Sequence, residues 1–428
     1  MANPVYVVDG ARTPFLKARG EPGPFAAADL AVAAARPVLA RLPFAPSEID
    51  EVIVGCVIPA ADEANIARII ALRLGCGKHV PAYTVQRNCA SGLQALASAA
   101  ERIALGQAHL VLAGGTEAMS RAPIQWNHAM SGWLAQMMRA KSLSGRAQAL
   151  VRFKLSYLQP VYALLLGLTD PLVKLNMGQT AEILAQRFGI SREEQDAYAL
   201  QSHQRLAAAF DDGSLAGEVE PLYDTRGNVA LEDNGLRRDS DMQQLAKLKP
   251  VFDRKYGVVT SGNSSQVTDG AAMLMLASEE AVKRHNLPVM GELKGHAWAG
   301  VDPSQMGLGP VHAVARLLAA RKIQMNDLKH LELNEAFAAQ VLACQAAWAS
   351  GDYARDELGL DAPLGSMDPA RLNPQGGAIA CGHPVGASGA RIVLHMLHAL
   401  RRAGGGMGVA TLCIGGGQGG AMLVEAAA

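Results

Sequence analysis

"NCASGLQALASAAERIALGQAHLVLAGGTEAM", residues 88–119, sets the reading of the whole chain. A thiol, Cys89, stands before a run of small residues. The spacing then predicts a helix over about 90–105, with Leu93, Leu96, Ala100 and Ile103 on one face. "AHLVLAGG" follows as an apolar run closing in glycines, which reads as a buried strand. The same order returns in "GHPVGASGARIVLHMLHALRRAGGGMGVATLCIGGG", residues 382–417. There a polar turn with His383 leads into small residues. A helix with Ile392, Met396, Leu397 and Leu400 inward comes next, then a buried strand ending in glycines. Arg401 and Arg402 suit the negative end of that helix, and Gly404 suits its stop. Two stretches on one plan argue an internal duplication.

Working outward, "PVYVVDGARTPF" (4–15) and "IDEVIVGCVI" (49–58) read as strands, and a strand at about 289–299 answers the first of them. "ANIARIIALRLG" (64–75) has helical spacing stopped by Gly75. Strands alternating with helices predict an α/β fold, a mostly parallel sheet with helices on both faces. Residues 121–250 differ in kind, being rich in charged loops and helix signals. Ser191 to Glu194 form a capping box that opens a helix running to about Phe210. We read this segment as an excursion over the mouth of a site. "SGNSSQVTDGAAMLML" (261–276) returns to the core as a loop, a helix start and a buried run. The expected organisation is a first half from 1–120 and 251–285, an inserted loop domain at 121–250, and a second half at 286–428.

Composition narrows the function class. Of 428 residues half are apolar and 18% are charged, fewer than the usual ~25%, which favours an oligomer over a large isolated surface. The formal net charge is zero and aromatic residues are 5%, so neither a basic footprint nor a base-stacking platform for nucleic acid is present. The six cysteines (Cys56, Cys76, Cys89, Cys344, Cys381, Cys413) include no C-x-x-C pair, so no zinc site or disulfide frame is signalled. Reduced thiols fit a cytoplasmic location. The start "MANPVYVVDG" reads as neither a signal peptide nor a transit peptide, and no apolar run reaches membrane-spanning length.

Four short motifs carry chemistry. A thiol at a helix start, Cys89, has its thiolate favoured by free N–H groups and the helix dipole. His383, rigidified by Pro384, is placed to take that proton. Cys413, before three glycines, is a second thiol with close backbone access. Asn334 in "NEAFAAQ" (334–340) is a side-chain donor for a water or an oxyanion. Each has a plain alternative: most cysteines are packing, a histidine in a glycine turn is often structural, and "NEAF" reads as a helix N-cap with Glu335 in the first turn. Their recurrence at equivalent turns of a duplicated fold argues for a shared site. Gly415, Gly417 and Gly420 match G-x-G-x-x-G, but no helix and acid follow before the sequence ends, so a dinucleotide site is excluded.

"NCASG", "GGTEAMS", "NEAFA", "GGAIACGHPVGASGARI" and "CIGGGQGGA" occur in that order, and along almost its whole length the sequence resembles the thiolase family. The resemblance implies a layered α/β/α/β/α fold of two similar halves, with a loop domain inserted in the first. It implies an acyltransferase that reversibly cleaves 3-oxoacyl-CoA with CoA to give acetyl-CoA and a shortened acyl-CoA. No permanently bound cofactor and no metal are implied; coenzyme A and acetyl-CoA are substrates. In that light Cys89 is the acylated nucleophile, His383 its base and Cys413 the second acid/base. Asn334 holds a water that forms one oxyanion hole with His383, and the N–H groups of Cys89 and Gly415 form the other. Met177, Ser265 and Met306 fall where the family contacts the pantetheine arm. Alternatives are a biosynthetic acetoacetyl-CoA-forming enzyme, a decarboxylating condensing enzyme, and a non-catalytic acyl-CoA or lipid binder. Retention of both thiols, His383 and Asn334 speaks against the last two.

One stretch stands outside this account. No Asp or Glu occurs from Ala118 to Thr169, while Arg121, Arg139, Lys141, Arg146, Arg152 and Lys154 do, among many apolar residues. Residues 133–168 are expected to form one or two amphipathic helices that dock on an anionic membrane or a partner. Here the sequence resembles the β subunit of trifunctional fatty-acid oxidation complexes. That implies a hydratase/dehydrogenase partner subunit and peripheral membrane contact.

Overall fold

The computed structural model describes residues 3–427, so the outermost ends of the two expected halves lie outside the described residues. Nine strands build the frame. They are β1 (Val5–Arg12), β2 (Glu51–Gly55), β3 (Ala82–Val85), β4 (Leu110–Ala118), β5 (Thr268–Ser278), β6 (Gly291–Gly300), β7 (His330–Leu333), β8 (Gly406–Ile414) and β9 (Gln418–Ala426). They hydrogen-bond in the order β7-β8-β9-β6-β1-β5-β4-β2-β3, and the short pair Leu16–Lys17 adds to β5. The principal helices are α1 (Ala27–Arg41), α2 (Ile66–Arg73), α3 (Ser91–Ala104), α4 (His128–Arg139), α5 (Leu143–Val151), α6 (Ala163–Gly167), α7 (Met177–Phe188), α8 (Arg192–Asp211), α9 (Gly309–Arg321), α10 (Ala338–Ala349) and α11 (Val385–Arg402).

Side-chain alternation along the strands builds the layers. In β4, Leu110 and Leu112 face a core shared with α1 and α2, while Val111 and Ala113 face a second core shared with α3 and α11. In β9, Met422 and Val424 face that second core, and Ala421 and Leu423 face a third one containing residues of α9 and α10. A strand buried on both faces reads as a continuous apolar run, which is why β4 and β5 look uniform in sequence. The result is five layers, helix, sheet, helix, sheet, helix, with α3 and α11 in the middle. Outward from the β1–β6 seam, β1, β5, β4 and β2 correspond to β6, β9, β8 and β7, and β3 has no counterpart among the described strands.

Two expectations need correction. The sheet is not mostly parallel: only β2 with β3, β2 with β4, and β7 with β8 run parallel. Helical crossovers enforce parallel pairing, and they join only the outer strands. β8 and β9 are a hairpin closed by Gly415–Gly417, and β5 returns antiparallel between β1 and β4. The second correction concerns 261–276, which has no helix start. Its polar residues are spent on the loop: Asn263 accepts from the Thr260 N–H at 2.8 Å, and the Ser264 hydroxyl donates to the Thr260 carbonyl at 2.6 Å. The apolar run that follows is strand β5.

The neighbours β4 and β5 are separated in sequence by 119–267, which carries α4 to α8. Ser191 caps α8 by accepting from the Glu194 N–H, and the Glu194 carboxylate returns the bond to the Ser191 N–H at 2.7 Å.

Candidate active site

Cys89 lies in the turn between β3 and α3. Asn88 takes a left-handed φ of 43°, and its side-chain amide donates to the Gly415 carbonyl at 2.7 Å, tying this turn to the β8–β9 hairpin. Ser91 donates to the Asn88 carbonyl and accepts from the Arg87 N–H, which fixes the turn from below. The N–H groups of Gly415 and of Cys89 itself face the sulfur. Burial pushes the Cys89 thiol up, and those two N–H groups oppose it.

His383 sits at the end of the turn that leads into α11. Its Nδ1 is 2.6 Å from the Ser388 hydroxyl, and that hydroxyl donates its one proton to the Pro384 carbonyl at 3.0 Å. Nδ1 must therefore carry the ring proton, leaving the lone pair on Nε2. Nε2 has no partner among the described residues. Burial, aided by the Arg391 cation, lowers the His383 imidazolium to about 4, so at neutral pH this ring is a neutral base.

Cys413 is the last residue but one of β8 and is buried. Its thiol is pushed well up by burial and then by the neighbouring Cys89 sulfur. The hairpin beyond it needs glycine. Gly417 has φ 79°, and a Cβ there would lie 2.3 Å from the Val301 carbonyl oxygen. The G-x-G-x-x-G pattern is thus hairpin chemistry.

Cys89, His383 and Cys413 share the wall of one cavity of about 360 Å³ with Met177, Ser265 and Met306. Met177 opens α7, and its sulfur lies over Gly415. Asn334 is fully buried behind this wall. Its N–H donates to the Thr411 carbonyl, and both polar atoms of its side chain lack a protein partner among the described residues. No helix starts at Asn334; α10 begins at Ala338.

Several contributors gave no signal in the sequence. Met119, Leu165, Leu168, Phe252, Phe337 and Val385 supply apolar wall, and Phe252 meets Phe337 edge-on at 6.0 Å. Glu335 is buried rather than in a helical first turn. Its carboxylate accepts from Tyr198 (3.0 Å), Ser202 (2.7 Å), Asn373 (3.1 Å) and the Ile379 N–H (3.1 Å). That network locks the Asn334 turn to the approach to His383. Among the described residues there is no cluster suited to a metal ion.

The family descriptions "Thiolase, N-terminal domain" and "Thiolase, C-terminal domain" match residues 5–280 and 287–426. The chain belongs to the thiolase family. As a thiolase it is an acyltransferase. It is 41% identical over 423 residues, 98% of this chain and 96% of the other, to a 3-ketoacyl-CoA thiolase of Yersinia enterocolitica. Its fold is similar to that of human mitochondrial 3-ketoacyl-CoA thiolase in complex with CoA, at TM-score 0.85 and 38% identity, over 100% of this chain and 99% of that one. An acetyl-CoA acetyltransferase of Bacillus anthracis matches at TM-score 0.83 and 36% identity, over 99% of each chain.

Proposed function

We propose that this thiolase cleaves 3-oxoacyl-CoA with CoA, in the degradative direction of fatty-acid β-oxidation. The observation that carries the reading is the meeting of two thiols and an imidazole with a free Nε2 in one largely apolar cavity. His383 Nε2 takes the Cys89 proton, and the thiolate attacks the 3-oxo carbon of the substrate. The resulting alkoxide is held by the N–H groups of Cys89 and Gly415. The bond between C2 and C3 then breaks. The departing acetyl-CoA enolate, stabilised by Asn334 through a water and by His383, takes the Cys413 proton. The Cys413 thiolate next deprotonates incoming CoA, whose sulfur takes the acyl group; Cys89 leaves as a thiolate and regains the proton held on His383 Nε2. Two thiols are required because one is acylated while the other moves protons. The pantetheine arm lies along Met177, Ser265 and Met306.

Intact-mass measurement after mixing with a 3-oxoacyl-CoA tests this. The wild type should carry the shortened acyl group on Cys89, and Cys89→Ala should carry none. Cys413→Ala should still acylate from an acyl-CoA donor while overall thiolysis falls by about 10²-fold or more. Acylation of Cys89→Ala, or full turnover by Cys413→Ala, would overturn the assignment.

Three further parts of the reading concern the surroundings. The enzyme is a homo-oligomer, dimer or tetramer, supported by its low charge content. It works in the cytoplasm, a placement supported by six free cysteines. The segment 133–168 docks on an anionic membrane or on a hydratase/dehydrogenase subunit. Its exposed Met138, Leu143, Val151 and Leu155 beside Arg139, Lys141, Arg152 and Lys154 support that.

A further inference from the structure

We propose that Glu117 is a positioning residue of the reaction, holding the turn of His383 against the turn that follows β2 and bringing a buried carboxylate near the Cys89 thiol. The inference rests on the functional reading above.

The geometry starts with backbone contact. β4 passes directly under the first turn of α11. A Cβ on Gly115 would fall 1.9 Å from the Gly386 carbonyl oxygen, and one on Gly92, in the first turn of α3, would fall 2.9 Å from the same atom. The elements that carry the two reacting side chains therefore meet through bare backbone. Such contact leaves no room for side chains to hold the register.

Glu117 supplies that register. It is the only charged residue between Ala108 and Arg121 apart from His109, and it is fully buried at the end of β4. One carboxylate oxygen accepts from the Val57 N–H at 2.9 Å and from the Gly386 N–H at 3.1 Å. The other accepts from the Ile58 N–H at 3.0 Å and from the Cys56 thiol at 3.6 Å. Gly386 lies three residues after His383, so this carboxylate ties the His383 turn to the turn that follows β2. No amide can replace it. A glutamine would turn its NH₂ either toward the Val57 and Gly386 N–H groups or toward the Ile58 N–H and the Cys56 thiol, leaving those donors unpaired.

The charge acts as well as the shape. The Glu117 carboxylate lies near enough to the Cys89 sulfur to disfavour a thiolate, adding to the effect of burial. Burial lifts the Glu117 carboxyl itself to about 7, against the pull of its N–H donors. On the other side, the buried Arg391, paired with Glu332 at 3.4 Å, disfavours a charged His383. An anion near the thiol and a cation near the imidazole both oppose a resting thiolate–imidazolium pair.

The test uses Glu117→Gln and Glu117→Asp in the full chain. Two readouts are taken: steady-state thiolysis, and the pH profile of iodoacetamide alkylation at Cys89, followed by peptide mass. In Glu117→Gln we expect kcat about 10–100-fold lower with the acyl-CoA KM changed by no more than about twofold, the signature of misplaced reacting groups. Its alkylation profile should move to lower pH, because an opposing charge is gone. Glu117→Asp keeps the charge but shortens the reach, so kcat should fall while the alkylation profile stays. The proposal is overturned if Glu117→Gln turns over like wild type. It is also overturned if its kcat falls with no shift in alkylation, or if neither variant folds, since Glu117 is then a structural residue. Alkylation does not depend on acyl transfer. If the wild type forms no acyl-enzyme, the functional reading fails while the alkylation profile still decides the role of Glu117.

Discussion

Ser388 has one hydroxyl proton and gives it to Pro384, so it can only accept from His383. This makes the tautomer of the base a consequence of a residue five positions downstream. Ser388→Ala should let the ring populate the other tautomer, with Nε2 protonated and unable to accept from Cys89. The expected result is a fall of about 10–100-fold in kcat, measured by steady-state thiolysis. In the proposed mechanism His383 is a neutral base, and burial with Arg391 lowers it to about 4. Activity that depends on it should therefore be lost as pH falls toward 4, not near the usual imidazole range. In Ser388→Ala that acid limb should stay in place, because Ser388 is not what lowers the ring. At this level the sequence was informative about polar residues in turns. Cys89, His383, Cys413 and Asn334 stand out because a reactive or buried polar group amid small residues has few structural uses. Ser388 and Glu335 did not stand out: nothing in "GASG" or "NEAF" reveals which atom a buried oxygen meets.

The helix α6 does two jobs at once. Leu165 and the capping Leu168 line the cavity that holds Cys89, His383 and Cys413, yet both belong to the acid-free stretch that began as an outlying feature. With Phe252 and Phe337 they supply apolar wall to that cavity, which makes them candidates for setting acyl-chain length. Leu168→Trp should lower kcat/KM for long-chain 3-oxoacyl-CoA by about tenfold or more, while acetoacetyl-CoA cleavage changes little. Equal loss on both substrates would remove Leu168 from specificity. The two helices before it hold a small core of their own. Trp133 meets Phe153 at 5.0 Å and donates to the Ala149 carbonyl at 2.8 Å, and Met130 and Ala149 are buried. Met138, Leu143, Val151 and Leu155 remain more than 80% exposed, which a self-contained loop would not require. No described helix is long and apolar enough to cross a membrane. Flotation with phosphatidylglycerol vesicles should retain the wild type, and retention should drop when Arg139, Lys141, Arg152 and Lys154 become Glu. Periodicity sufficed to find α3, α8 and α11. It failed for the sense of strand pairing, because direction depends on how strands are connected and not on which residues they contain.

The molecule exposes 18648 Å², against about 15,700 Å² expected for a compact monomer of 44.9 kDa. The exposed apolar side chains of 133–168 fit that surplus, as does the proposed subunit contact. Light scattering at micromolar concentration should give a multiple of 44.9 kDa, and a species of that mass alone would contradict the oligomer. The duplication, the layered class and four candidate side chains were readable from residue order, because helix periodicity, buried apolar runs and turn chemistry are local. Other features depended on the folded chain. β4 and β5 become neighbours across 119–267, Glu117 reaches Gly386, and Asn334 settles behind the cavity wall beside Thr411. Each of those contacts joins residues far apart in sequence. Their geometry is set by which backbone surfaces can approach and by which buried polar atoms still need a partner, and both are properties of the packed molecule.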